Sequence, residues 1–159
     1  MNEILEDDTV ITMYQACLLH SRADRALRLV VARQLEQFNV TMMEWLLMGV
    51  VQNGPKEGMT MSAVASALDV TLPQVTALTS NLTKLKLLKQ KVSRQDRRSR
   101  RLVSTSAGKK LLENIEHEVN TAIREWVADI PREQLQTYLQ TVEILANRKP
   151  GDSGTIKSN

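Results

Sequence analysis

The chain has 159 residues, 42% of them apolar and 25% charged, which suits a single soluble globular domain with a real core. No apolar run approaches the roughly 18 residues needed to cross a bilayer. The acidic start MNEILEDDTV has no basic segment followed by an apolar one, so no secretory signal is expected. Cys17 is the only cysteine and cannot close an internal disulfide, and a reducing, cytoplasmic setting is expected. The net charge of +3 conceals its distribution: residues 84–110 hold 11 lysines and arginines and one acid, and the remainder holds 10 bases and 17 acids. A segment of net +10 on a body of net −7 calls for a polyanionic partner.

From about Val10 to Phe38, Ile11, Tyr14, Leu18, Ala26, Leu29, Val30 and Leu35 recur at spacings near three and four, which predicts a helix. At nearly thirty residues it exceeds the usual globular helix, so part of it is expected to pack against another chain. Asn39-Val40 breaks the pattern. Thr41 and Glu44 then have capping-box spacing and open a second helix to about Gln52. NGPKEG, residues 53–58, is a loop by composition. Thr60 or Ser62 caps MSAVASAL, Asp69-Val70 makes a turn, and Thr71-Leu72-Pro73-Gln74 opens another helix to about Leu85. One face of that helix carries Leu72, Val75, Leu78, Leu82 and Leu85. The other carries Gln74, Thr76, Ala77, Thr79, Ser80, Asn81 and Thr83, short and uncharged where a solvated face would carry Lys and Glu. Together with Thr71 these groups suit close approach to a surface, donation to phosphates and reading of base edges.

Period two takes over at Leu88, Gln90 and Val92, and Leu102 to Thr105 form a return strand. The tip between them contains Arg94, Asp96, Arg97, Arg98, Ser99, Arg100 and Arg101. Thr105 or Ser106 caps a further long helix, and Pro131 starts the last one. Pro150 to Asn159 is Gly/Ser-rich and expected to be disordered. Helix, tight turn, helix and basic hairpin make a winged helix-turn-helix pattern. Helix 71–85 would enter the major groove, and the hairpin tip would follow the backbone or enter the minor groove, where arginine suits the negative potential. Asp96 would brace a neighbouring guanidinium and so direct the tip.

Residues 59–113, and most specifically Asp96-Arg97-Arg98-Ser99 followed by a strand and Thr105-Ser106-Ala107-Gly108, resemble the core of the multiple antibiotic resistance regulator (MarR) family. The flanking helices match in order and length, so the resemblance spans about residues 10–147. It implies a mainly α, six-helix protomer with a small β-wing, in a homodimer. Dimerisation helices would occupy 10–38 and 106–147 and a DNA-binding lobe 41–105, between a flexible 1–9 and a disordered 148–159. It also implies a regulator of transcription, a repressor in preference to an activator, at a pseudo-palindromic operator on double-stranded DNA, often relieved by a small-molecule effector. Arg98 would reach the minor groove and Asp96 would position it. Two departures stand out. Lys86 occupies a position between recognition helix and wing where the family usually has Gly, and Ala77 and Asn81 stand where it often has Arg.

Two other functional classes fit some of the residues. Ala77 and Asn81 permit a winged-helix protein-interaction module, against which the +10 segment argues, and a nonspecific nucleic-acid binder fits the charge but not the helix-turn-helix pattern. Cys17, with Tyr14, Leu18 and His20 as neighbours, could sense peroxide as in the organic hydroperoxide regulators, although the spacing to Ser21-Arg22 differs from that subgroup and a buried structural cysteine is the commoner case. His20 and His117 lie far apart without metal-ligand spacing, so no metal and no cofactor is expected. Glu113, Glu116 and Glu118 read as a solvated face. Met42, Met43, Met48, Met59 and Met61 fill a core or line an adaptable pocket. No phosphate loop, nucleophile elbow or triad occurs, so an enzyme is not expected.

Overall fold

The computed structural model describes residues 11–92 and 100–148. The expectations for residues 1–9, for Arg94, Asp96, Arg97, Arg98 and Ser99 of the wing tip, and for nearly all of the C-terminal tail lie outside the described residues. The elements follow in the predicted order: α1 (Met13–Glu36), α2 (Met42–Asn53), α3 (Met61–Leu68), α4 (Leu72–Lys84), β1 (Leu88–Val92), β2 (Arg100–Ser104), α5 (Ser106–Trp126) and α6 (Arg132–Ala146). The chain divides into two compact units, Met1–Ile123 and Arg124–Asn159.

Local chemistry sets the helix ends. Thr12 caps α1 in a box with Gln15, two residues inside the expected start, and Thr41 caps α2 in a box with Glu44. Thr60 accepts the Ala63 N–H at the start of α3. At the other ends α1, α3 and α4 share one device without glycine: Asn39, Asp69 and Lys86 adopt φ of 53°, 51° and 59°. The next residue then donates five back, Val40 to Leu35, Val70 to Ala65 and Leu87 to Leu82. This is the Schellman arrangement, in which the left-handed residue turns the chain and an apolar residue beyond it packs on the last turn. Lys86 thus takes the left-handed conformation that glycine adopts without a steric penalty. Lys86→Gly is expected to stabilise the fold by about 0.5–1 kcal/mol in urea denaturation, the relief of strain exceeding the entropy glycine adds to the unfolded chain.

The first unit holds two apolar clusters. One gathers Leu47, Met48 and Val51 of α2, Val64 and Ala65 of α3, Val75 and Leu82 of α4, Leu87, Leu88, Leu102 and Leu112. The other gathers Val31, Leu35, Val40, Ile115 and Val119. Trp45 and Leu111 pack against both. The methionines divide accordingly: Met48 is buried and Met59 and Met61 flank the first cluster, while Met42 flanks the second.

β1 and β2 pair antiparallel, with Leu88 opposite Ser104, Gln90 opposite Leu102 and Lys91 opposite Arg101. β2 begins at Arg100, two residues earlier than the expected return strand, so Arg100 and Arg101 are strand residues rather than tip residues. A single bridge adds Met59 to this sheet: its N–H and C=O bond Leu102 at 3.0 and 2.7 Å. Gly58 makes that approach possible. Its φ is 92°, and a Cβ there would lie 2.5 Å from the Leu102 carbonyl oxygen.

α1 buries only Val31 and Leu35, and leaves Met13, Tyr14, Leu19 and Leu29 more than half exposed. In the second unit α6 buries no residue, and Tyr138, Leu139, Ile144 and Leu145 are exposed. Among the described residues no helix is long and apolar enough to cross a membrane.

Candidate nucleic-acid interface

The exposed side of α4 is the surface to which the sequence assigned readout. Thr71, Gln74, Thr76, Ala77, Ser80 and Asn81 are all exposed. Thr79 is not: it is 2% exposed, and its hydroxyl lies 3.8 Å from Met61 Sδ. Four residues after Val75 it falls on the core face, where its shape serves as valine would, and it does not face the readout surface. Leu72 and Leu85, expected within the buried stripe, are about half exposed at the two ends of the helix.

The hydrogen bonds narrow what each side chain can offer. Thr71 N–H and Oγ1–H donate to Gln74 Oε1 at 2.9 Å, which leaves the Gln74 Nε2 amide outward as a donor. Thr76 Oγ1–H returns to the Leu72 carbonyl at 2.9 Å, so its oxygen can only accept. Ala77 offers a methyl, the group that packs on a thymine methyl. Asn81 Nδ2 donates to Glu44 Oε1. A groove of about 280 Å³ runs beside the helix, lined by Met61, Thr76, Thr79, Ser80, Thr83, Lys84 and Gln90.

The sheet next to α4 supplies the charge. Lys91 and Arg101 are direct cross-strand partners, and Lys89 and Arg100 are exposed beside them. Like charges placed opposite each other oppose pairing unless an anion joins them. Arg101 is partly committed, since its Nη1 donates to the Gly58 carbonyl at 3.0 Å and holds the α2–α3 loop. Arg100 Nη1 reaches Gln90 Oε1 at 3.5 Å. Lys84, Lys86, Lys89, Lys91, Lys109 and Lys110 belong to the charged segment but not to the expected site residues, and all six are exposed.

The Thr105-x-x-Gly108 signature explains itself in the structure. Thr105 Oγ1 accepts the Gly108 N–H at 3.0 Å and donates within reach of the Lys86 and Leu87 carbonyls at 2.7 and 3.1 Å. One threonine therefore caps α5 and secures the strained exit from α4, which fixes the recognition helix against the base of the wing.

Glu44 is buried at the start of α2. Burial pushes its carboxyl up, but hydrogen bonds from the Thr41 backbone, the Asn81 amide and the Thr41 hydroxyl outweigh this and hold it below the usual glutamate range. A carboxyl lowered in the folded state adds stability above its unfolded value, and that stability is lost as pH falls through the folded value. Glu44→Gln is expected to cost about 1–2 kcal/mol at pH 7. The gap to the wild type should narrow below about pH 5, as read by thermal melts across pH.

The remaining candidates fall outside this surface. Cys17 is exposed on α1 rather than buried. His20 and His117 are exposed, and among the described residues no three His, Cys, Asp or Glu side chains are grouped to hold a metal ion. Glu116 is not a solvated residue: it accepts the Trp45 indole N–H at 2.9 Å and joins α5 to α2.

Residues 38–99 match a family model described as MarR family. No curated protein matches the chain. Solved structures do. A MarR-family transcriptional regulator from Rhodococcus sp. RHA1 aligns with a TM-score of 0.77 at 18% identity, over 87% of this chain and 97% of that one. CouR from Rhodococcus jostii RHA1, bound to p-coumaroyl-CoA, gives 0.77 at 18% identity over 91% and 100%. The S. aureus MepR–DNA complex gives 0.71 at 24% identity over 87% and 99%. The family match is thus confined to residues 38–99, and the six helices and two-stranded wing of the described residues share the winged-helix fold of the MarR-family structures with which the chain aligns.

Proposed function

We propose that the chain is a DNA-binding transcription regulator, a homodimer that represses from a pseudo-palindromic operator. One observation carries the reading. The exposed α4 face presents Gln74, Ala77 and Ser80 beside a sheet in which Lys91 and Arg101 oppose each other, an arrangement that an anionic backbone would relieve. α4 would read bases in the major groove, and the wing, with Arg94, Arg97, Arg98 and Arg100, would neutralise phosphates. Arg98 would enter the minor groove with Asp96 as its brace. The dimer is supported by the apolar side chains that α1 leaves exposed and, separately, by those that α6 leaves exposed, for each of which a second copy is the natural cover. Relief by a small ligand is supported by likeness to CouR, solved with p-coumaroyl-CoA. The work is recognition and not catalysis, in the compartment that holds the DNA.

The test is fluorescence anisotropy of the purified protein on the DNA upstream of its own coding sequence and on scrambled duplex, at two salt concentrations. A preference for the upstream duplex that survives the higher salt, with a dimeric mass by ultracentrifugation, is the expected result. Equal, salt-sensitive binding to both duplexes would make it a nonspecific nucleic-acid binder. No binding to either would point to a protein-interaction module.

A further inference from the structure

Glu44 divides its carboxylate between two helices. Oε2 accepts the backbone N–H and the hydroxyl of Thr41, at 2.9 and 2.8 Å, and closes the N-terminus of α2. Oε1 accepts Nδ2 of Asn81 on α4, 37 residues away in sequence. Glu44 is 5% exposed, whereas Asn81 stands on the exposed side of α4. An ionised carboxylate has no proton to give, so only the amino side of the Asn81 amide can face it. The amide is therefore fixed in one of its two flips, with Oδ1 turned away from Glu44. Asn81 also falls in line with Gln74 and Ala77, at spacings of seven and four residues along one stripe of the helix.

We propose that Glu44 is a positioning residue for base reading: it holds Asn81 with its acceptor outward, so that Asn81 reads an exocyclic amino group, adenine N6 or cytosine N4, in the major groove. The inference rests on the regulator reading above. These are the amino donors that base pairs present in that groove. An unclamped asparagine turns either end of its amide outward and accepts from or donates to a base alike. A clamped one discriminates, and it loses less rotamer freedom on binding.

The test is selection from a random duplex library with wild type, Glu44→Gln, Asn81→Ala and the double variant, each checked for folding by thermal melt. The wild type is expected to enrich adenine or cytosine at one position, and Asn81→Ala to weaken that preference roughly fivefold to tenfold, the scale of one base-edge hydrogen bond. A glutamine can donate as well as accept, so Glu44→Gln frees the amide to flip and should weaken the same position. The double variant should lose no more than Asn81→Ala. If Glu44→Gln does not fold, Glu44→Asp keeps the charge but shortens the reach, and carries the same comparison. A Glu44 variant with the wild-type sequence pattern, or one that weakens all sequences alike, overturns the positioning role. An unchanged pattern for Asn81→Ala overturns the reading role. A wild type that enriches nothing removes the regulator reading itself, and this inference with it.

Discussion

Gly108→Ala is expected to destabilise the protein by about 3 kcal/mol, the upper end of what overpacking typically costs. A Cβ at this position would lie 2.1 Å from the Leu87 carbonyl oxygen and 3.0 Å from its carbon. Leu87 has nowhere to retreat. Its N–H closes the α4 cap on Leu82, and its carbonyl accepts from the Thr105 N–H. Its side chain is buried in the first cluster. Any shift that admits the methyl therefore breaks the end of α4 and the start of α5 together. Gly49→Ala in α2 is the control: nothing lies within 4 Å of its would-be Cβ, and alanine favours a helix by up to about 1 kcal/mol over glycine. Denaturant titration of the two variants should move the midpoint in opposite directions. A Gly108→Ala midpoint near the wild type would mean that the two helix ends are not coupled through Leu87.

Raising salt from 50 to 200 mM is expected to weaken DNA binding about 10³-fold or more, if the dimer neutralises six or more phosphates. Lys91→Ala and Arg100→Ala should each lower the slope of log affinity against log salt by about one per contact removed. Lys91→Ala carries a second signature. It removes one partner of the opposed Lys91–Arg101 pair, so stability in the absence of DNA should hold or rise while affinity falls. A solvated surface lysine with no DNA contact would leave the salt slope unchanged.

What the sequence made legible was local. The Thr41–Glu44 and Thr71–Gln74 boxes, the breaks at Asn39 and Asp69 and the period-two hairpin are all set by residues within about four of each other. The errors arose where distant partners decide the outcome. The Thr79 hydroxyl suggests an exposed side chain, but Thr79 is buried with its hydroxyl against Met61 of α3. Asn81 stands on the expected exposed face, but no local pattern shows that Glu44, far away in sequence, accepts from its amide. Glu116 had the composition of a solvated face until Trp45 met it. The Met59–Leu102 bridge is a single residue pair, too short to leave any periodicity. The apolar pattern of Val10 and Ile11 carries the expected first helix three residues past its start at Met13, which the Thr12–Gln15 box sets.

Trp45 gives the protein a built-in optical reporter. The chain has two tryptophans, Trp45 and Trp126. The Trp45 ring touches both apolar clusters, and its indole N–H is held by a carboxylate on α5. Indole emission shifts with the polarity and fixed charge around the ring. A Trp126→Phe chain would therefore carry one fluorophore at the seam between its two cores, and its emission wavelength would register any slip of α2 against α5 when DNA or a small molecule is added.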